Sequence, residues 1–246
     1  MEVKVFETYE EMSRHAARMI AQRIKAKPNL VLGLATGSTP VGTYQELIRL
    51  HKEEGLDFSQ VGSFNLDEYL GLPGDHDQSY RHFMNTNLFD HINIDKANTR
   101  VPDGTAADPA ASCRQYEEDI RAAGGIDFQV LGIGGNGHIA FNEPGSSRDS
   151  RTRVVDLDEG TIKDNSRFFD SIDDVPKQAI SMGMATIMET KEVILLANKA
   201  NKADAILKSV EGPETEAVPA SLLQKHPKVT FLVEKEAASK LKGRYA

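Results

Sequence analysis

Several short stretches of this chain are apolar at almost every position, and longer segments with helical periodicity lie between them. "VKVF", "NLVLGLA", "VGSFNLD", "IDFQVLGIG", "EVILLAN" and "KVTFLVE" are the apolar runs. A strand with one wet face alternates polar and apolar residues, whereas a strand apolar throughout must be covered on both faces. After the first run, Met12, Ala16, Met19, Ile20 and Ile24 recur at helical spacing, and Thr8 stands three residues before Glu11 as in a capping box. Helices are also expected in "VGTYQELIRLHKEEG", with Pro40 at its first position and Gly55 at its end, and in "SYRHFMNTNLF", "DPAASCRQYEEDIRAAGG" and "KANKADAILKSVEG". A last short helix is expected from Lys235. This alternation predicts an α/β fold, a mostly parallel sheet with helices on both faces. Without an internal repeat or linker, residues 1–246 read as one domain. The stretch from Pro144 to about Pro176 is weakly periodic and charged, and a mobile lid is expected around residues 155–175.

Composition narrows the function. A net charge of −8 argues against a surface that neutralises nucleic-acid phosphates. An acidic protein can still hold a small anion with a few local donors. No apolar run approaches bilayer length, and the start "MEVKVFETYEE" lacks the basic-then-apolar pattern of a signal segment. Cys113 is the single cysteine, so no internal disulfide can form and a cytoplasmic location is expected.

The turn after "IDFQVLGI" contains Gly132, Gly134 and Gly137, spaced G-x-G-x-x-G, with Asp156 further on as a possible ribose ligand. That spacing suggests a dinucleotide site only if a helix follows to hold the pyrophosphate. Pro144 and Gly145 come too soon for such a helix. What remains is a glycine-rich turn at the carboxyl end of a buried strand, where ligands of open α/β sheets bind. Asn136, His138, Asn142 and Glu143 cluster there. The plain alternative is a tight turn with His138 as a structural hydrogen-bonder.

Three other stretches carry chemistry. "ATGSTP" follows a buried strand and opens a helix, so Thr36, Gly37, Ser38 and Thr39 offer hydroxyls and amides to one phosphate. No Lys-Ser/Thr pair follows those glycines, so it is not a Walker A loop. "FNLDEY" puts Asp67 and Glu68 at the end of another strand, where a carboxylate could act as base on a carbon acid beside a carbonyl. Arg167, Lys199 and Lys202 are candidate phosphate ligands, though each taken singly reads more readily as a surface cation. Asp75, His76 and Asp77 are adjacent and cannot all face one ion from a regular element, and no other spacing suits a metal. A G-x-S-x-G nucleophile elbow is also missing.

With "FNLDEYLGLP", "GNGHIAFNEPGSS", "SRTRVV" and "NSRFFD" in view, the chain resembles the glucosamine-6-phosphate deaminase family from its first strand to about Glu234. The resemblance implies a modified Rossmann-like fold, no cofactor, and conversion of glucosamine 6-phosphate and water to fructose 6-phosphate and ammonia. It implies that Asp67 moves a proton between C2 and C1, that His138 opens the sugar ring, and that Glu143 supports the imidazole. Thr36 to Thr39, Arg167 and Lys202 match the family's phosphate positions. Many members carry Asp where this chain has Asn136, so support of His138 is expected to rest mainly on Glu143. Hexameric relatives activated by N-acetylglucosamine 6-phosphate have a longer tail and a basic residue in place of Val155. A monomer or small homo-oligomer without that activation is therefore expected here. The partner is a small-molecule sugar phosphate, with no nucleic acid and no membrane. Rival readings are a 6-phosphogluconolactonase, which usually follows its histidine with a "SLFPG"-like run, and a non-catalytic sugar-phosphate sensor.

Overall fold

The computed structural model of the chain describes residues 1–166, 169, 171–243 and 245, with only the backbone of Glu159, Asp164 and Asn165. The strands are β1 (Glu2–Phe6), β2 (Val31–Leu34), β3 (Gly62–Asn65), β4 (Asp67–Tyr69), β5 (Thr99–Arg100), β6 (Phe128–Leu131), β7 (Arg153–Asp156), β8 (Gln178–Ser181), β9 (Val193–Ala197) and β10 (Val229–Glu234). The helices are α1 (Tyr9–Ala26), α2 (Val41–Glu54), α3 (Tyr80–Asn87), α4 (Pro109–Ala122), α5 (Glu159–Asn165), α6 (Met184–Met188) and α7 (Ala203–Val210).

Seven strands form one sheet in the order β1-β10-β9-β6-β2-β3-β5, and every pair in it is parallel. Its strands are buried on both faces, as their continuous apolar runs require. Ile194 and Leu196 of β9 face a core with Met12, Ile20, Leu47 and Met84 from α1, α2 and α3. Val193, Leu195 and Ala197 face the other way, onto Tyr116, Ile187, Ile206 and Leu222. The period of two along a strand thus feeds two separate helical layers. Thr8 caps α1 by accepting the Glu11 amide at 3.2 Å, as its spacing predicts. Gly55 closes α2 in the left-handed conformation, at φ 69°. No helix among the described residues is long and apolar enough to cross a membrane.

Chain order runs from β2 through β3 to β5 toward one edge, and from β6 through β9 to β10 toward the other. Direction therefore reverses between β2 and β6, and a crevice opens there at the carboxyl ends of the strands.

The structure departs from sequence expectation in four places. "FNLDEY" is not one strand. Leu66 still donates to Leu34 O at 3.1 Å, extending the parallel ladder, but its own carbonyl accepts from Met182 N at 2.7 Å. The chain thereby changes sheets, and Asp67–Tyr69 form β4 of a small antiparallel sheet ordered β4-β8-β7. The weakly periodic stretch after Pro144 contains β7 and α5. Its strand is half exposed and lacks a clean alternation, so its pattern was silent. Residues 235–240 are turns and not a helix, because Lys235 N bonds to Phe6 O and holds the chain against β1. Pro40 caps α2 instead of occupying its first turn, a shift of one residue.

Candidate active site

The crevice between β2 and β6 is a cleft of about 320 Å³ that four loops share. The loop after β2 brings Thr36, Gly37, Ser38 and Thr39, and that after β9 brings Asn198, Lys199, Asn201 and Lys202. Gly37 takes φ 92°, a conformation that a side chain would strain. Tyr9 fixes this loop from α1: its hydroxyl accepts from Gly42 N at 2.8 Å and reaches Thr39 O at 3.0 Å. Thr39 Oγ1 donates to Asn198 Oδ1 at 3.0 Å, which ties the two loops together. Hydroxyls, loop amides and two lysines thus converge at one end of the cleft.

Asp67 enters from the switch between sheets. It is 6% exposed, and its carboxyl has no hydrogen-bond partner among the described residues. Burial, with the neighbouring Glu68 charge adding to it, pushes its carboxyl up to about 8. Glu68 faces away from the cleft. Its Oε1 accepts from the amides of Tyr69 and Tyr80, each at 2.9 Å, and its Oε2 from Arg81 N at 3.0 Å. It therefore satisfies the free amides at the start of α3 and ties that helix to β4. Tyr80, so placed, lies parallel to Phe141, with centroids 6.2 Å apart and planes 13° apart. Both rings line the cleft.

The turn after β6 carries the third group. His138 Nδ1 lies 3.2 Å from both carboxylate oxygens of Glu143. Asn136 Nδ2 donates to Glu143 Oε2 at 2.7 Å, and Asn136 Oδ1 accepts from the His138 amide at 3.1 Å. Thr161, on α5, donates to Glu143 Oε1 at 2.7 Å. Burial on its own would raise Glu143, but the bond and charge of His138, with Thr161 and Asn136, hold it down to about 2. This carboxylate stays ionised wherever a histidine exchanges protons. The glycine spacing has its reason here. A side chain at Gly134 would overlap the His138 ring, and Gly137 turns the chain at φ 90°.

Asp67, His138, Thr36 to Thr39 and Lys202 therefore meet in one cleft, with Glu143 and Asn136 behind the histidine. Lys199 lines the cleft as well. Arg167 lies outside the described residues. Asp156, weighed as a ribose ligand, instead accepts from Gln178 Nε2 at 2.9 Å on the small sheet. Sequence reading missed Tyr80, Phe141, Asn198 and Thr161. None of them stands in a motif of spaced polar residues, and each reaches the cleft only through the packing of its element.

Fold and cleft together define a Rossmann-like α/β enzyme. Residues 6–232 match the profile of the family described as glucosamine-6-phosphate isomerases/6-phosphogluconolactonase. The chain belongs to that family. A glucosamine-6-phosphate deaminase of Halothermothrix orenii is 56% identical over 241 residues, covering 98% of this chain and 100% of the relative. One from Shewanella woodyi is 53% identical over 244 residues, covering 99% and 92%. Among solved structures, a monomeric glucosamine-6-phosphate deaminase superposes with TM-score 0.96 at 50% identity, over 97% of this chain and 99% of its own. The Trypanosoma brucei 6-phosphogluconolactonase gives 0.77 at 25% identity, over 98% of both chains.

The buried acid makes stability depend on pH in a defined direction. Below the ordinary carboxyl value of 3.8, Asp67 is protonated whether folded or unfolded. Between there and about 8, the folded protein retains a proton that the unfolded chain releases, so stability falls as pH rises through this window. Asp67→Asn removes that liability. Its melting temperature should gain on the wild type steadily between pH 4 and pH 8. A difference in melting temperature that stays constant across this range would contradict the assignment.

Proposed function

We propose that this enzyme is a glucosamine-6-phosphate deaminase, converting glucosamine 6-phosphate and water to fructose 6-phosphate and ammonia. The observation that carries the reading is the placing of Asp67 and His138 in the cleft that also holds the Thr36–Thr39 loop. Identity of about one-half to deaminases along their whole length supports it.

The phosphate rests on the amides and hydroxyls of residues 36–39, with Lys202 as its counter-charge and Arg167 as a further ligand. The sugar ring then lies toward Asp67 and His138. His138 exchanges the proton that opens the pyranose, and the charged Glu143 stabilises the imidazolium formed on the way. Asn136 does more than fill the place of an acid: its amide holds Glu143 and its carbonyl holds the His138 backbone. Only the open-chain aldehyde acidifies the C2–H. Asp67 takes that proton and returns it to C1, leaving an imine at C2 that water hydrolyses to the ketose and ammonia. A carboxylate poised near neutral pH by burial is a stronger base than an exposed one. The glycine-rich turn offers backbone amides to the oxyanion that develops at C1.

The segment at residues 155–175, of which 167, 168 and 170 lie outside the described residues, acts through α5 as a lid that settles over the bound sugar, a reading supported by the contact of α5 with Glu143. Hydrogen exchange in that segment should slow when a sugar phosphate is added, and unchanged exchange would count against closure. The enzyme works in the cytoplasm as a monomer or small homo-oligomer, as the monomeric solved relative suggests. Light scattering is expected to give a small species, and a hexamer would refute this. The main test is ammonia release. Asp67→Asn should lower it by about 10²- to 10⁴-fold, the range typical of a lost acid–base group. Full activity in the variant would remove Asp67 as proton carrier, and acid release from 6-phosphogluconolactone in place of ammonia would favour the lactonase.

A further inference from the structure

The Glu143 carboxylate is held from two sides. Asn136 reaches Oε2 from the same turn, while Thr161 reaches Oε1 from α5, eighteen residues along the chain. The Thr161 bond is short at 2.7 Å, and the residue is buried, at 9% exposure. Its helix has anchors of its own besides the turn. Asp158 caps it by accepting Gly160 N at 2.8 Å, and Leu157 N bonds to Lys177 O at 2.8 Å. Leu157 and Ile162 pack into the cluster of Tyr69 and Phe141. Among the described residues, Thr161 is the one brace on Glu143 that comes from outside the turn carrying His138.

We propose that Thr161 is a positioning residue for ring opening, and that its hydroxyl couples the seating of α5 to the competence of the His138–Glu143 pair. This rests on the reading of that pair as the ring-opening group. With α5 seated, both Glu143 oxygens have donors and His138 sits against them. With α5 displaced, Oε1 loses the Thr161 hydroxyl and keeps only the longer approach of His138 Nδ1, so the carboxylate takes up a proton more readily and turns more freely. The pair is then fully formed only when the helix beside the cleft is in place, so ring opening is timed to a covered substrate. Losing a hydrogen bond to a charged group costs rate chiefly where that charge is used.

The test compares wild type, Thr161→Val, Thr161→Ser and Glu143→Gln with glucosamine 6-phosphate and its C2-deuterated form. Valine keeps the branched shape and removes the donor, whereas serine keeps the donor. Thr161→Val should lower kcat about tenfold, with KM within about twofold. The C2-deuterium effect on kcat should fall toward one as ring opening, which breaks no C2–H bond, limits turnover. Thr161→Ser should restore both the rate and the isotope effect. Wild-type behaviour of Thr161→Val beside a slow Glu143→Gln would overturn the role of Thr161 and leave the pair intact. Equal damage from valine and serine would also overturn it, as a packing effect. Wild-type kcat and isotope effect in Glu143→Gln would instead refute the ring-opening pair itself.

Discussion

The parallel pairing of β2 with β6 is the contact on which the rest of the site depends. Only Leu32–Phe128 and Gly33–Gln129 are in register, yet this short ladder joins the two halves of the sheet. Glycine at 33 leaves room there for the Gln129 side-chain amide, which lies where a Cβ would be. Since the strands are parallel and the chain reverses direction here, the loops that follow β2 and β6 must emerge side by side. One is the hydroxyl loop of residues 36–39 and the other carries His138. Their neighbours, after β3 and β9, deliver Asp67 and the two lysines to the same edge. The anion cradle and the acid–base groups thereby line one cleft.

Within that cleft two carboxylates are driven in opposite directions. Asp67 is buried beside Glu68, with no donor to its carboxyl among the described residues, and is pushed up to about 8, while Glu143, with a histidine, a hydroxyl and an amide around it, is held at about 2. Divergent environments of this kind separate a base from a charge stabiliser. Glu68 links the two arrangements. By satisfying the start of α3 it places Tyr80 in the wall of the cleft, and by its charge it sharpens the basicity of its neighbour. The unusual backbone of the turn after β6, with Ala140 at φ 50°, belongs to the same economy. It bends "HIAFNE" back so that Glu143 meets the ring of His138 five residues earlier.

Much of the fold was legible in the sequence. Runs apolar at every position can only be strands covered on both faces, and they stand in the structure where the pattern predicts them. The irregular half of the site was less so. "FNLDEY" looks like one strand, and nothing local reveals that Leu66 leaves one sheet for another. β7 and α5 escaped because a half-exposed strand and a seven-residue helix carry too few periods to register. Histidine shows the same limit. His226 is buried and has both ring nitrogens engaged with backbone at Thr190 and Lys228, a purely structural role that its identity did not disclose.

The sequence by itself determined the α/β architecture, the failure of the dinucleotide fingerprint at Pro144, and the short list of polar residues near strand ends. Those conclusions follow from local rules: which residues tolerate burial, which break helices, and which spacings fill one face. Tertiary structure decided the charge of each carboxylate and the company of each side chain. A carboxyl is shifted by burial and by donors arriving from distant elements, and Glu143 takes its Oε1 partner from a helix that no motif foretold. Residue type names the groups that could do chemistry. Only the meeting of four strand ends, and the helix packed beside them, sets which of those groups hold protons and which hold charge.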